Sequence, residues 1–107
     1  CKIPGARVIE EKEHAETSWF GVPIVCEEHK HRLVKYLEDN KVQTRNYFAG
    51  NILMHPAYRH IEPATNYPNA CKVLDNVFFV GCSPVITEPM LEYIDEVVCN
   101  YCTEYYQ

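Results

Sequence analysis

The chain has 107 residues, a net charge of −5 and an apolar fraction of 47%, which suits one small domain with a single core. Its charged fraction of 23% is ordinary for a globular protein and argues against disorder. The acidic balance, with no Lys/Arg cluster beyond Lys30-His31-Arg32, argues against nucleic acid or an anionic membrane as the main partner, and no apolar run approaches the ~20 residues of a membrane span.

Residues 1–16 are polar, with Pro4-Gly5 and the charged stretch Glu10-Glu11-Lys12-Glu13, and read as a connector or exposed loop. Cys1-Lys2-Ile3-Pro4 lacks an initiator Met and reads like the middle of a longer chain. Residues 17–26 are aromatic and β-branched, which predicts a strand. Alternation puts Phe20, Val22, Ile24 and Cys26 on one face and Trp19, Gly21, Pro23 and Val25 on the other. Pro23 cannot donate to a ladder, so this strand is expected at an edge or with a bulge. A helix is predicted over 28–39, with Glu27 and Glu28 at its positive end, an apolar stripe of Leu33, Val34 and Leu37, and Asn40 as a left-handed cap.

A short strand follows at 42–45. Residues 46–66 read as irregular, with one helical turn near 52–58; a loop of that length is usually functional or packed on a partner. Pro68 opens a second helix carrying Ala70, Val73, Leu74 and Val77. Phe78-Phe79-Val80 reads as a buried strand. Thr87 caps the last helix, whose apolar face runs from Met90 to Tyr105. Short strands and helices in this order predict an α+β two-layer domain with a small, mainly antiparallel sheet and three to four helices.

Six cysteines stand at 1, 26, 71, 82, 99 and 102. The regular periodicity needs no staples, so they are expected as reduced thiols packed as small hydrophobes. Cys99 and Cys102 form a Cys-x-x-Cys deep in the last helix, away from the helix start that activates a thiol. His29 and His31 are two apart on a helix and do not share a face, so solvated histidines are expected there rather than metal ligands.

The run Thr44 to Asn51 is the richest in chemistry. Arg45 offers a guanidinium fork for phosphate or carboxylate, with a surface salt bridge as the plainer role. Phe48 suits stacking on a ring, Gly50 a close backbone approach and Asn51 hydroxyl binding; packing and turn roles compete at each. His55 is a weaker substrate contact in the same loop. Tyr47 is expected to pack.

The Ser18-Trp19-Phe20-Gly21 segment, Lys35 to Asn40, Gln43-Thr44-Arg45, Phe48-Ala49-Gly50-Asn51, and Phe79-Val80-Gly81 followed by Ile86-Thr87-Glu88-Pro89-Met90-Leu91-Glu92-Tyr93 together resemble the C-terminal small domain of the DegT/DnrJ/EryC1/StrS group of sugar-modifying enzymes. The resemblance covers about residues 17–102. The Arg-x-x-Phe-Ala-Gly-Asn run is similar to the 3-dehydrase branch, typified by CDP-4-keto-6-deoxyglucose 3-dehydrase. Relatives often have Gly after the Asn that ends the first helix; here Lys41 stands there.

The resemblance implies a connector over 1–16 from an upstream large domain, and a small domain over 17–107. It implies pyridoxamine or pyridoxal phosphate bound by that large domain, with a His base in dehydrases or a Schiff-base Lys in aminotransferases. In the CDP-sugar branch the large domain also carries an iron–sulfur cluster; the six cysteines here do not match its ligand set. The implied reaction condenses the cofactor amine with the keto group of a nucleotide-linked 4-keto-6-deoxyhexose and expels the C3 hydroxyl. The implied setting is a cytoplasmic homodimer making deoxysugars for lipopolysaccharide or another glycan, with an electron-donating reductase. In this reading Arg45, Phe48, Gly50, Asn51 and His55 touch substrate, and the 107-residue chain alone is inactive. An aminotransferase of the same group and a stand-alone ligand-binding module are the alternatives.

Overall fold

The computed structural model describes residues 1–106. The elements run β1 (Ala6–Val8), β2 (Gly21–Cys26), α1 (Lys30–Asp39), β3 (Thr44–Asn46), α2 (Pro68–Asn76), β4 (Val77–Gly81) and α3 (Glu88–Tyr106). Two 3₁₀ turns, Ile52–Met54 and Ala64–Asn66, lie in the long loop before α2. The four strands form one antiparallel sheet in the order β1-β2-β4-β3. This is the expected small α+β domain. No helix among the described residues is long and apolar enough to cross a membrane.

Register fixes which side chains meet. Ile24 pairs with Phe78 and Val22 with Val80. Ile24, Phe78 and Val80 meet Cys26 in the core, where Leu33 and Leu37 of α1 and Val97 and Tyr101 of α3 complete the helix layer. The intervening residue Phe79 pairs with Pro23 and Arg45 on the opposite face.

Several expectations need correction. The segment read as a connector supplies β1, so β2 lies inside the sheet, not at its edge. Pro23 is tolerated because it sits where the β1 ladder stops. The Ile9 N–H still donates to the Pro23 carbonyl (3.2 Å), but Pro23 has no N–H to return. β2 begins at Gly21, so the alternation does not reach back to Phe20, which joins Phe79 and not Ile24 and Cys26.

α1 starts at Lys30, past both glutamates, because the His29 backbone is non-helical (φ −143°, ψ 29°). The left-handed residue at its end is Lys41 (φ 64°), not Asn40. The Val42 N–H reaches the Leu37 carbonyl (2.9 Å) and the Lys41 N–H the Glu38 carbonyl (3.0 Å), which is a Schellman motif. Val42 and Leu37 provide its hydrophobic contact in the core.

The thiol expectation fails at one pair. Cys1 and Cys99 form a disulfide, their Cα atoms 5.4 Å apart, while Cys26, Cys71, Cys82 and Cys102 are free. The pairing of β1 with β2 carries the first residues across to α3, a proximity with no periodic signal in the sequence. Such bonds form mainly in oxidising surroundings; in a reducing compartment the same pair stands as two neighbouring thiols.

His29 is also not a solvated histidine. Its Nε2 faces the Pro4 carbonyl (2.8 Å), which can only accept, so Nε2 carries the proton. Nδ1 then accepts from the Tyr101 hydroxyl (3.0 Å) and the Cys26 thiol (3.4 Å). Arg32 Nε donates to the same Tyr101 oxygen (3.1 Å) and its guanidinium lies 4.6 Å from the Tyr105 ring centre. Burial pushes both the Cys26 thiol and the Tyr101 phenol upward in pKa.

Candidate functional site

The other end of the sheet is open. A groove of about 1110 Å³ follows the outer edge, between β3, the residues after it, and the start of α3. Its walls are mostly apolar, including Phe20, Phe48, Phe79 and Met90, and its two cations are Lys41 and Arg45. No carboxylate lines it among the described residues.

Arg45 is in β3, directly opposite Phe79, on the sheet face away from α1 and α3. It is exposed and has no ion-pair partner among the described residues. Glu38 is within its electrostatic reach, but that carboxylate accepts from the Thr44 N–H (2.6 Å) and the Thr44 hydroxyl (2.8 Å). Those bonds hold the Glu38 carboxyl below its ordinary pKa and pin the start of β3. The strand start is held in place, and the Arg45 guanidinium is left uncommitted and able to take an oxyanion in a bidentate fork.

Phe48 follows on a tight turn with φ 50°, a region few bulky residues adopt. Its ring is 69% exposed. It stacks on Phe20 (6.2 Å between centres, 30° between planes) and lies 6.0 Å from Phe79.

The remaining predicted site residues do not join Arg45 and Phe48 in lining the groove. Gly50 has φ 65°, and a Cβ there would sit 2.8 Å from the Leu74 Cα. The close approach it permits in this chain is to α2. Asn51 is 3% exposed. Its Nδ2 donates to the Ala64 carbonyl (3.1 Å) and the Cys71 sulfur (3.3 Å), and its Oδ1 accepts from the Leu53 N–H (3.1 Å). The carboxamide closes the loop by capping a 3₁₀ turn. His55 is exposed, with Nε2 3.4 Å from the Ala49 carbonyl.

The residues that sequence reasoning missed at the groove are Phe20, Phe79 and Lys41. Alternation along β4 could have found Phe79, because Phe78 and Val80 point into the core and the residue between them must point away. Lys41 is aimed there by its left-handed backbone, which the departure from Gly hinted at.

The sequence matches the family model described as the DegT/DnrJ/EryC1/StrS aminotransferase family over residues 2–99. It is 32% identical over 105 residues to dTDP-4-dehydro-2,6-dideoxy-D-glucose 3-dehydratase of Saccharopolyspora spinosa, covering 92% of this chain and 23% of that protein. It is 31% identical over 91 residues to the lipopolysaccharide biosynthesis protein RfbH of Salmonella typhimurium, covering 79% and 21%. The chain thus spans about a quarter or less of the curated relatives it matches. Its fold matches S. venezuelae DesV, solved with a ketimine intermediate, at a TM-score of 0.80 and 17% identity, over 92% of this chain and 26% of that one. It also matches a mutant of ColD, a GDP-4-keto-6-deoxymannose-3-dehydratase with bound GDP-perosamine, at 0.69 and 24%, over 90% and 26%. The chain belongs to the DegT/DnrJ/EryC1/StrS aminotransferase family.

Proposed function

We propose that this chain is the C-terminal small domain of a nucleotide-sugar 3-dehydrase, with residues 1–16 leading in from an upstream large domain and supplying β1 on the way. The observation that carries the reading is the open groove where Arg45 and Phe48 meet, in a family member whose 32%-identical relative is named a 3-dehydratase. Arg45 would hold diphosphate oxygens in a bidentate fork, Phe48 would cover a ring, and the apolar wall would exclude water from the bound sugar.

The chain's own residues do not fit pyridoxamine or pyridoxal phosphate. Its groove has no carboxylate among the described residues to face a pyridinium nitrogen. This supports a cofactor held by the large domain, together with the catalytic base and any iron–sulfur cluster. A homodimer, a reductase partner, a cytoplasmic setting and a role in deoxysugar or lipopolysaccharide synthesis belong to the same proposal.

The test supplies the full-length protein with pyridoxamine phosphate and a nucleotide-linked 4-keto-6-deoxyhexose. Loss of the C3 hydroxyl is the expected result, and the 107-residue chain alone should turn over nothing. Arg45→Ala should weaken substrate binding by about tenfold or more, the loss of one charge-assisted contact, with folding unchanged. Amine transfer from glutamate without water loss would move the assignment to the aminotransferase branch. Activity of neither kind would leave a binding module.

A further inference from the structure

We propose that Phe20, Phe48 and Phe79 form a stacking platform for the base of a nucleotide whose diphosphate Arg45 holds. This rests on the functional reading above for the presence of a nucleotide, and adds which part of the ligand these rings recognise. Phe20 and Phe48 are 76% and 69% exposed, although both are large apolar side chains in a domain with a closed core. They are not scattered: each ring lies about 6 Å from Phe79, at 5.9 and 6.0 Å. Phe48 and Phe79 are only 31° from coplanar. The exposure of Phe20 and Phe48 leaves ring surface on which a planar heterocycle can stack.

The backbone holds this arrangement against its own preference. Phe48 keeps φ at 50°, fixed by its N–H on the Asn46 carbonyl (2.7 Å) and the Gly50 N–H on the Tyr47 carbonyl (3.1 Å). Strain of this kind persists only where the surroundings hold it, and it keeps the Phe48 ring turned outward. Gly21 serves the same end, since a Cβ there would lie 2.5 Å from the Phe79 ring and push it off the platform.

The three rings also wall a second, smaller cleft of about 190 Å³, together with Trp19 and Tyr47. Thr17 and Ser18 line it and offer hydroxyls that can both donate and accept at a base edge. The same three rings line the groove that holds Arg45, which is free of ion pairs among the described residues. An aromatic cleft and a groove with two cations unpaired among the described residues, sharing the same three rings, are complementary to a base linked to a phosphate.

The experiment measures binding of CDP, UDP, dTDP, GDP and inorganic pyrophosphate to the full-length protein by calorimetry. Phe20→Leu and Phe48→Leu keep apolar bulk but remove the π-face; Phe20→Tyr keeps it. Each Leu variant is expected to bind the preferred nucleoside diphosphate about tenfold more weakly, with pyrophosphate unchanged and Phe20→Tyr near wild type. Unchanged nucleotide binding in both Leu variants overturns the proposal. So does equal weakening of nucleotide and pyrophosphate, which would make the rings mere supports for Arg45. A lowered melting temperature without a binding change also overturns it, because Phe20 would then be covered by another part of the protein. Ring-dependent nucleotide binding without sugar chemistry would leave the platform standing and sink the dehydrase reading. Dehydration with an unchanged KM in Phe20→Leu would do the reverse.

Discussion

The two ends of the sheet treat polar and aromatic groups in opposite ways. Near β1, the rings of Tyr101, Tyr105 and Tyr106 gather around Arg32, and the hydroxyl, thiol, imidazole and guanidinium of Tyr101, Cys26, His29 and Arg32 satisfy one another. The Cys1–Cys99 bond and the His29 contact to Pro4 tie the first residues over that end. Near β3, Phe20 and Phe48 face outward and the groove's cations Lys41 and Arg45 have no ion-pair partner among the described residues. The difference separates stability from recognition. A cation caged by tyrosines is already satisfied, whereas one beside exposed rings has its hydrogen bonds left for a ligand.

The largest effect that would break this contrast is at Tyr101, which is fully buried. Tyr101→Ala should cost about 3–5 kcal/mol, as for other buried aromatics. Tyr101→Phe should cost about 1–2 kcal/mol, because His29 Nδ1 loses its hydroxyl donor and Arg32 Nε its acceptor. Phe48→Ala at the open end should stay within about 0.5 kcal/mol of wild type, since an exposed ring contributes little to the core. Denaturant midpoints of the three variants check the ranking, and an equal loss at both ends would erase the distinction.

Much of the fold was legible because it depends on local rules. The stripe Leu33, Val34 and Leu37, Pro68 at a helix start and the face from Met90 to Tyr105 all carry helical spacing. What stayed hidden depends on long-range pairing. Nothing local says that Ala6–Val8 joins Cys26, that Cys1 meets Cys99, or that His29 meets both Pro4 and Tyr101. The site was half legible for the same reason. Arg45 and Phe48 are recognisable from residue type, but the inward role of Asn51 depends on Ala64 and Cys71, and that of Gly50 on Leu74.

A smaller effect sharpens the contrast through pH. Glu38 holds the start of β3, and its bonds from Thr44 keep its folded-state pKa below the unfolded value. The native state therefore binds fewer protons than the unfolded one across that window. The stabilisation is fully present above the ordinary glutamate pKa and is lost as pH falls through the lowered one. Wild type should exceed Glu38→Gln in melting temperature most at neutral pH, with the gap closing in acid. A gap independent of pH would mean that the carboxylate charge does not anchor β3.

A small effect of the opposite sign is at Lys41, where stability and recognition pull against each other in one residue. Its φ of 64° suits glycine, and a side chain there is strained. Lys41→Gly should stabilise the domain by about 0.5–1 kcal/mol, the relief of that strain less the extra freedom of a glycine in the unfolded chain. The Schellman bonds from Val42 and Lys41 use only backbone atoms and survive the change. What disappears is a groove cation beside Arg45. The full-length variant should melt higher and bind inorganic pyrophosphate more weakly. That paired outcome would mean that the strain is kept for its charge, in line with the usual opposition between stability and binding. If Lys41→Gly melts higher and binds pyrophosphate as wild type does, Lys41 contributes nothing to recognition, and Arg45 alone supplies the positive charge of the open end.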